Sequence, residues 1–154
     1  MAKIDKSLYT KQEWIAIRNQ RRLQKQLQKQ KHQISKTVSN KDNSVAFVLG
    51  NGTSRSAIES ELLSELGTVY GCNAIYRTFS PDYLIAVDVK MILEITKSGY
   101  QNNNSVWTNH NNAYTEIKNV NYFQPSKGWS SGPTALWLAA EHGYDEIYIL
   151  GFDY

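Results

Sequence analysis

The sequence predicts an α/β fold of the Rossmann-like type, a mostly parallel sheet with helices on both faces, plus an N-terminal basic helix. From about residue 43, short apolar segments that end in Gly or polar residues alternate with amphipathic segments of helical length. Such alternation is typical of parallel sheets. The preceding residues are instead rich in Lys, Arg and Gln. We therefore predict a basic helical arm and linker over residues 1–42 and a Rossmann-like nucleotide-binding domain over residues 43–154.

The distribution of charge supports this division. The 154 residues carry a net charge of +3, with 41% hydrophobic and 20% charged residues, which is typical of a soluble globular protein. Residues 1–41 contain eleven Lys and Arg against two acidic residues, or +9, whereas residues 42–154 contain six against twelve, or −6. A basic arm joined to an acidic domain indicates that the two parts have different roles.

Composition also excludes several classes of protein. No apolar run approaches the roughly 18 residues of a membrane helix, so we predict no membrane span. The polar, basic N-terminus does not resemble a secretory signal. The single cysteine, Cys72, cannot form an internal disulfide, which fits a reducing, cytoplasmic location. One Cys and three His argue against a Cys/His zinc site, and we predict no metal and no cofactor.

The arm has the pattern of a helix. Thr10 and Glu13 have the spacing of a capping box, and residues 18–33 lack Gly and Pro. Its apolar stripe is thin, so the helix is marginal alone and is expected to dock on a partner protein, its own domain or another copy. Nucleic acid is a weaker alternative partner. The predicted contacts to the partner are the cations Arg18, Arg21, Arg22 and Lys25.

The first half of the domain alternates between strand and helix patterns. Val45–Leu49 is a continuous apolar run that predicts a strand buried on both faces. A helix is expected from Arg55 to Leu66, followed by a second strand over Thr68–Cys72. A third strand is expected over Tyr83–Val87.

The second half repeats the alternation after a less regular region. Asp88 is either a ligand group or the N-cap of a helix over Val89–Lys97. The Asn-rich residues 100–128 predict loops around one or two strands. Ser131 is then the expected cap of a helix with Pro133 in its first turn. A last strand is expected over Glu146–Leu150.

The turn after the first strand has the composition of a phosphate-binding loop. Its sequence is Gly50-Asn51-Gly52-Thr53-Ser54. Glycines let the backbone approach a ligand, and a helix start offers free amides and a partial positive charge. The spacing matches neither a P-loop nor a complete dinucleotide fingerprint. A tight capped turn is the alternative, but two glycines beside Asn and Ser exceed what a turn requires.

Other polar residues are candidates with two interpretations each. Asn73 either reaches a ligand from the second strand or forms a local turn. His110, in the Asn-rich region, is a candidate acid or base, and Trp129 belongs to the core or to a pocket wall. Cys72 is expected to be an inert core thiol, because no His or cation precedes it in sequence.

Four blocks, in order, resemble the bacterial lipooligosaccharide sialyltransferase family of Rossmann-like glycosyltransferases. They are residues 48–54, 71–76, 130–132 and 143–154. The similarity spans about residues 45–154, and its last block is the most specific. It implies a site for a CMP-sugar donor, with Tyr154 helping to hold the phosphate. The other nucleotide contacts that it implies are Gly50, Asn51, Gly52, Thr53, Ser54, Asn73, Ser130, Ser131 and Gly132.

The chain also departs from the family pattern. Thr53 stands where the family has Pro, and Gly128 and Trp129 stand where an Arg is expected. The family's catalytic His and a further phosphate-binding Tyr follow the position of Tyr154. We therefore assign no catalytic residue and expect nucleotide or nucleotide-sugar binding with reduced or absent catalysis. Any activity would be glycosyl transfer of the sialyltransferase type.

A rival hypothesis comes from a weaker resemblance to small proteins of tailed phages. It implies a phage-encoded interaction or virion structural protein that acts through the basic N-terminal helix. Its location would then be the host cytoplasm or the virion. The two hypotheses differ in which part of the chain carries the function: the loops of the domain or the cations of the arm.

Overall fold

The computed structural model describes residues 15, 17–22, 25, 44–114 and 116–153. The chain divides into two units, Met1–Ser39 and Asn40–Tyr154, which are considered separately. In the first unit every described residue is helical, and this helix, α1, includes residues 17–22. The predicted capping box of Thr10 and Glu13 lies outside the described residues. The four cations predicted to contact a partner are helical and exposed: Arg18, Arg21, Arg22 and Lys25.

The second unit contains a sheet of six parallel strands in the order β5-β4-β3-β2-β1-β6. The predicted α/β fold with a parallel sheet is therefore confirmed. The predicted bounds of the first, second and last strands match those observed, because Gly or polar residues stand on both sides of each strand. The strands are β1 Val45–Leu49, β2 Thr68–Cys72, β3 Tyr83–Ile85, β4 Val106–Thr108, β5 Asn121–Tyr122 and β6 Glu146–Leu150.

Helices cover both faces of this sheet. They are α2 Ser60–Leu66, α3 Val89–Ser98 and α4 Ser131–Glu141. Leu63 of α2 and Ile92 of α3 pack with the strand residues of one face, whereas Leu138 of α4 packs on the other. Alternate residues of β1 face the two clusters, since successive side chains of a strand point to opposite faces. Both faces of β1 are thus buried, as its apolar sequence predicted.

The helix predicted from Arg55 to Leu66 is wrong in its first part. The structure has a short 3-10 helix over Thr53–Ala57, and α2 begins only at Ser60. Ile58 between them is extended, with φ −120° and ψ 127°. The break follows from local chemistry, because the Ser56 hydroxyl donates to the Thr53 carbonyl at 2.7 Å and β-branched Ile58 favours extended backbone.

Asp88 is the N-cap of α3. Its Oδ1 accepts from the amide of Lys90 at 2.8 Å and from the amide of Met91 at 3.3 Å. The capping interpretation is therefore confirmed. The helix ends at Gly99, whose φ of 75° is the left-handed conformation that glycine adopts without strain.

The described part of the chain contains no helix with the length and apolarity needed to cross a bilayer. The strand β6 lies at one edge of the sheet and leaves Tyr148 and Ile149 about half exposed. The edge strand at the other side is β5, which has only two residues.

Candidate functional site

The strand order reverses at β1, because β2 lies on one side of it and β6 on the other. In open α/β sheets, ligands bind outside the carboxyl ends of the strands at such a reversal. The loops that follow β1 and β6 meet at this edge. Hydrogen bonds place the loop after β2 and the start of α4 beside these two loops. The carboxyl edge at β1 is therefore the candidate functional site.

The two loops at the reversal are in direct backbone contact. The amide of Gly50 donates to the Leu150 carbonyl at 2.8 Å, and the amide of Gly52 donates to the Gly151 carbonyl at 2.9 Å. A Cβ on Gly50 would lie 2.1 Å from the Gly151 carbonyl oxygen. A Cβ on Gly52 would lie 2.1 Å from Oδ1 of Asp153. The glycines of the first loop therefore allow a close approach of the chain after β6.

An anion already lies on the hydroxyl groups of the first loop, namely the carboxylate of Asp153. It accepts from the Thr53 hydroxyl at 3.0 Å, from the Ser54 amide at 3.1 Å and from the Ser54 hydroxyl in a very short hydrogen bond. These donors, the Ser54 hydroxyl first, hold the pKa of the Asp153 carboxyl well below its usual range. A phosphate on the same donors must displace this carboxylate.

Sequence reasoning did not identify Asp153 as part of the site. The signal for it was available, since Asp153 follows β6 at the same sheet edge as the loop after β1. An acidic residue in that position is placed to accept from an amide-rich turn.

Hydrogen bonds connect the first loop to the end of β2, and the residue after β2 to the first turn of α4. Asn51 Nδ2 donates to the Cys72 carbonyl at 2.9 Å and so ties the first loop to the end of β2. Ser131 Oγ donates to Asn73 Oδ1 at 2.7 Å and accepts from the Val87 amide at 3.1 Å. Asn73 has a φ of 52°, a conformation that Asn adopts more readily than most residues. The structure thus brings Asn51, Asn73 and Ser131 to one edge of the sheet.

The start of α4 differs from the predicted capping arrangement. The N-cap is Ser130, and its side chain makes no capping hydrogen bond. Ser131, the expected cap, lies in the first turn and is only 3% exposed because its hydroxyl is turned toward Asn73 and Val87. Ser130 itself is exposed, and the α4 amide end carries the positive pole of the helix. The Phe152 ring packs over Gly132, where a Cβ would lie 2.7 Å from it.

Cys72 has the properties of an inert thiol. It is 3% exposed, and burial raises the pKa of its thiol to about 12. Its Sγ donates to the Ser131 carbonyl at 3.6 Å. The thiol stays protonated at neutral pH, which confirms the sequence interpretation. Among the residues that the structure describes, no three His, Cys, Asp or Glu side chains are grouped to hold a metal ion.

Two cavities lie near the carboxyl ends of strands. One, of about 450 Å³, borders the first loop and is lined by Asn51, Gly52, Thr53, Arg55, Ser56, Ile58, Glu59, Ser60, Glu61, Thr78 and Phe79. The other, of about 440 Å³, is lined by His110, Asn111, Asn112, Tyr114, Glu116 and Tyr122. They share no lining residue, so the candidate acid or base His110 lines a different cavity from Asn51. The His110 ring stacks on Tyr122 at 4.3 Å.

Thr53 and Ser54 bind Asp153, and Trp129 is half exposed just before α4. Tyr154 lies outside the described residues, so its predicted contact with a phosphate stays a prediction.

Comparison of the chain with protein-family models, with curated proteins and with solved structures gives no match. The fold and the geometry of the carboxyl edge, together with the motif resemblance, are therefore the grounds on which a function is proposed.

Proposed function

We propose that the domain binds a nucleotide or nucleotide-sugar of the CMP-sugar class at the carboxyl edge beside β1. The observation that supports this proposal is the hydrogen-bonded convergence of separate segments at the strand reversal. Asn51, Asn73 and Ser131 are far apart in sequence but are joined there through Cys72 and Val87. Parallel sheets bind nucleotides at this place.

The phosphate takes the place of the Asp153 carboxylate. Both groups are anions, and the hydroxyl and amide donors that bind the carboxylate are also suited to a phosphate oxygen. The positive end of α4, capped by Ser130 without a side-chain bond, adds to the attraction for an anion. Asn51 is exposed beside these donors, and its amide has a second N–H and an oxygen for the ligand besides the N–H bonded to the Cys72 carbonyl.

Binding with reduced or absent catalysis fits the chemistry of this edge. Inverting sugar transfer requires a base that accepts the proton of the acceptor hydroxyl. The side chains joined at the edge are amides, hydroxyls and the carboxylate of Asp153, whose lowered pKa makes it a weak base, and the neighbouring Cys72 thiol is protonated. If transfer occurs, it is glycosyl transfer of the sialyltransferase type with a base from outside this group.

Calorimetric titration tests the proposal, with CMP as ligand and UMP, AMP and GMP as comparisons. Asn51→Ala removes the exposed amide and is expected to weaken CMP binding at least tenfold. The matched control is Asn103→Ala, since Asn103 is an exposed Asn of the loop after α3. Equal CMP affinity of the two variants would contradict the proposed site, and failure of every nucleotide to bind would contradict the proposed function.

A second candidate function rests on the arm. Arg18, Arg21 and Arg22 are exposed on a helix in a segment with a net charge of +9. Such a surface favours an acidic partner, and the protein would then act as a phage-encoded interaction or virion protein. Under this alternative the Asn51→Ala variant keeps its function, whereas neutralising the cations abolishes it.

A further inference from the structure

The cavity of about 450 Å³ borders the proposed phosphate position, because Thr53 lines it and also donates to Asp153. Asn51, Gly52 and Thr53 form one wall, and Thr78 and Phe79, from the turn between β2 and β3, form another. Its volume lies within the range of roughly 300–1,000 Å³ that small-molecule sites occupy. A ligand whose phosphate is held by Thr53 and Ser54 can therefore extend directly into this space.

The walls combine apolar and polar groups. Ile58 is 37% exposed in the extended break before α2, and Phe79 is half-buried on the facing turn. Together they offer an apolar surface for a flat ring. The carboxylates of Glu59 and Glu61 also line the cavity and accept hydrogen bonds from hydroxyl or amino groups.

Arg55 adds an incompletely satisfied donor to the cavity wall. Its Nη1 donates to the Ser60 hydroxyl at 3.3 Å. Its Nε is buried and has no hydrogen-bond partner within the described parts of the chain. A buried donor without an acceptor is destabilising. A carbonyl oxygen of a ligand in the cavity, reached by rotation of the guanidinium, supplies the missing acceptor.

We infer that this cavity binds the nucleoside end of the ligand, an inference that rests on the proposed nucleotide-binding function. The base packs between Ile58 and Phe79, the ribose hydroxyls donate to Glu59 or Glu61, and Arg55 donates to a carbonyl of the base. Inorganic phosphate has neither a base nor a ribose with which to contact these walls. The cavity thereby makes the site selective for nucleotides over inorganic phosphate.

Filling the cavity tests the inference. Ile58→Trp narrows it from the side of α2, and Thr78→Trp narrows it from the facing turn. Both positions are exposed, so these changes are compatible with folding. The matched control is Leu93→Trp on α3, because Leu93 is also an exposed apolar residue and does not line the cavity. Calorimetry with CMP and NMR titration with inorganic phosphate give the two affinities.

We expect each cavity-filling variant to weaken CMP binding at least tenfold and to change phosphate binding less than twofold, with Leu93→Trp unchanged for both ligands. CMP affinity equal to that of the wild type in both Ile58→Trp and Thr78→Trp overturns the inference. If Asn51→Ala still weakens CMP binding in that case, the proposed function stands without the inference. A wild-type chain that binds no nucleotide overturns both.

Discussion

The carboxylate of Asp153 lies three residues beyond the end of β6 and is held by donors from the loop after β1. Two groups of Ser54 and one of Thr53 point at it, which keeps the pKa of Asp153 below its usual range. The carboxylate is consequently ionised at any pH near neutrality. In the proposed complex it competes with the ligand phosphate for the same donors.

Asp153→Asn is expected to tighten CMP binding several-fold. The substitution removes the negative charge that an incoming phosphate must displace, while the amide oxygen still accepts from Thr53. Calorimetry measures the change, and Glu141→Gln, the loss of an exposed acid at the end of α4, controls for the change in net charge. Weaker CMP binding in Asp153→Asn alone would show that the carboxylate supports the ligand instead of competing with it.

For single residues, the sequence predicted which side chains lie at the carboxyl edge better than it predicted their hydrogen-bond partners. Asn51, Asn73 and Ser131 were predicted as ligand contacts, and the structure places them together. Their partners in the structure are Cys72, Val87 and each other. Long-range contacts of this kind depend on which strands are neighbours, and this order is not encoded in any local pattern of side chains.

The loops after β1 and β6 form a closely packed pair of elements. The Gly50 amide bonds to Leu150, and its Cα faces the carbonyl of Gly151 so closely that no side chain fits. Both loops must shift if this space is filled, because the obstructing atoms belong to the backbone.

Gly50→Ala is therefore expected to lower the free energy of unfolding by about 1–3 kcal/mol, the usual cost of overpacking. Its Cβ would lie 2.1 Å from the Gly151 oxygen. Gly128→Ala is the matched control, since a Cβ there meets no atom within 4 Å. Urea denaturation gives both values. Equal stability of the two variants would show that the loops are not packed as described.

Periodicity predicted most elements because their burial is regular. The apolar run of β1 and the amphipathic pattern of α3 follow from packing on the sheet, whereas the apolar run of β6 at the sheet edge is about half exposed. The helix expected from Arg55 does not form over its first part, because Ser56 bonds to the Thr53 carbonyl and Ile58 is extended. The amide and hydroxyl of Ser54 instead bind the distant Asp153. No residue of 53–57 is fully buried, so the segment lacks the buried apolar stripe that stabilises an α-helix on a sheet.

At the scale of the whole chain, the arm and the domain carry opposite charges and different candidate functions. Every nucleotide contact that we propose belongs to residues 50–154, whereas the cations of the second candidate function belong to the basic arm. The division of charge was predicted from the sequence. The partner of the arm was not, because its identity depends on the surface that the arm binds and not on the sequence of the arm.

Replacing Arg18, Arg21, Arg22 and Lys25 together by Gln separates the two functions. We expect CMP affinity to stay within twofold of the wild type, because no nucleotide contact is removed. Association of the arm with an acidic partner is expected to be lost, and in the wild type to weaken steeply with salt if that partner is a nucleic acid. A large loss of CMP affinity would instead show that the arm contributes to the nucleotide site.

Titration of the full chain with CMP by calorimetry is the most direct test of the proposed nucleotide site at the carboxyl edge beside β1. We expect saturable binding that Asn51→Ala weakens at least tenfold and that Asn103→Ala leaves unchanged. An absence of heat with CMP, UMP, AMP and GMP alike, confirmed by unperturbed NMR spectra, would contradict it and leave the cations of the arm as the functional part of the chain.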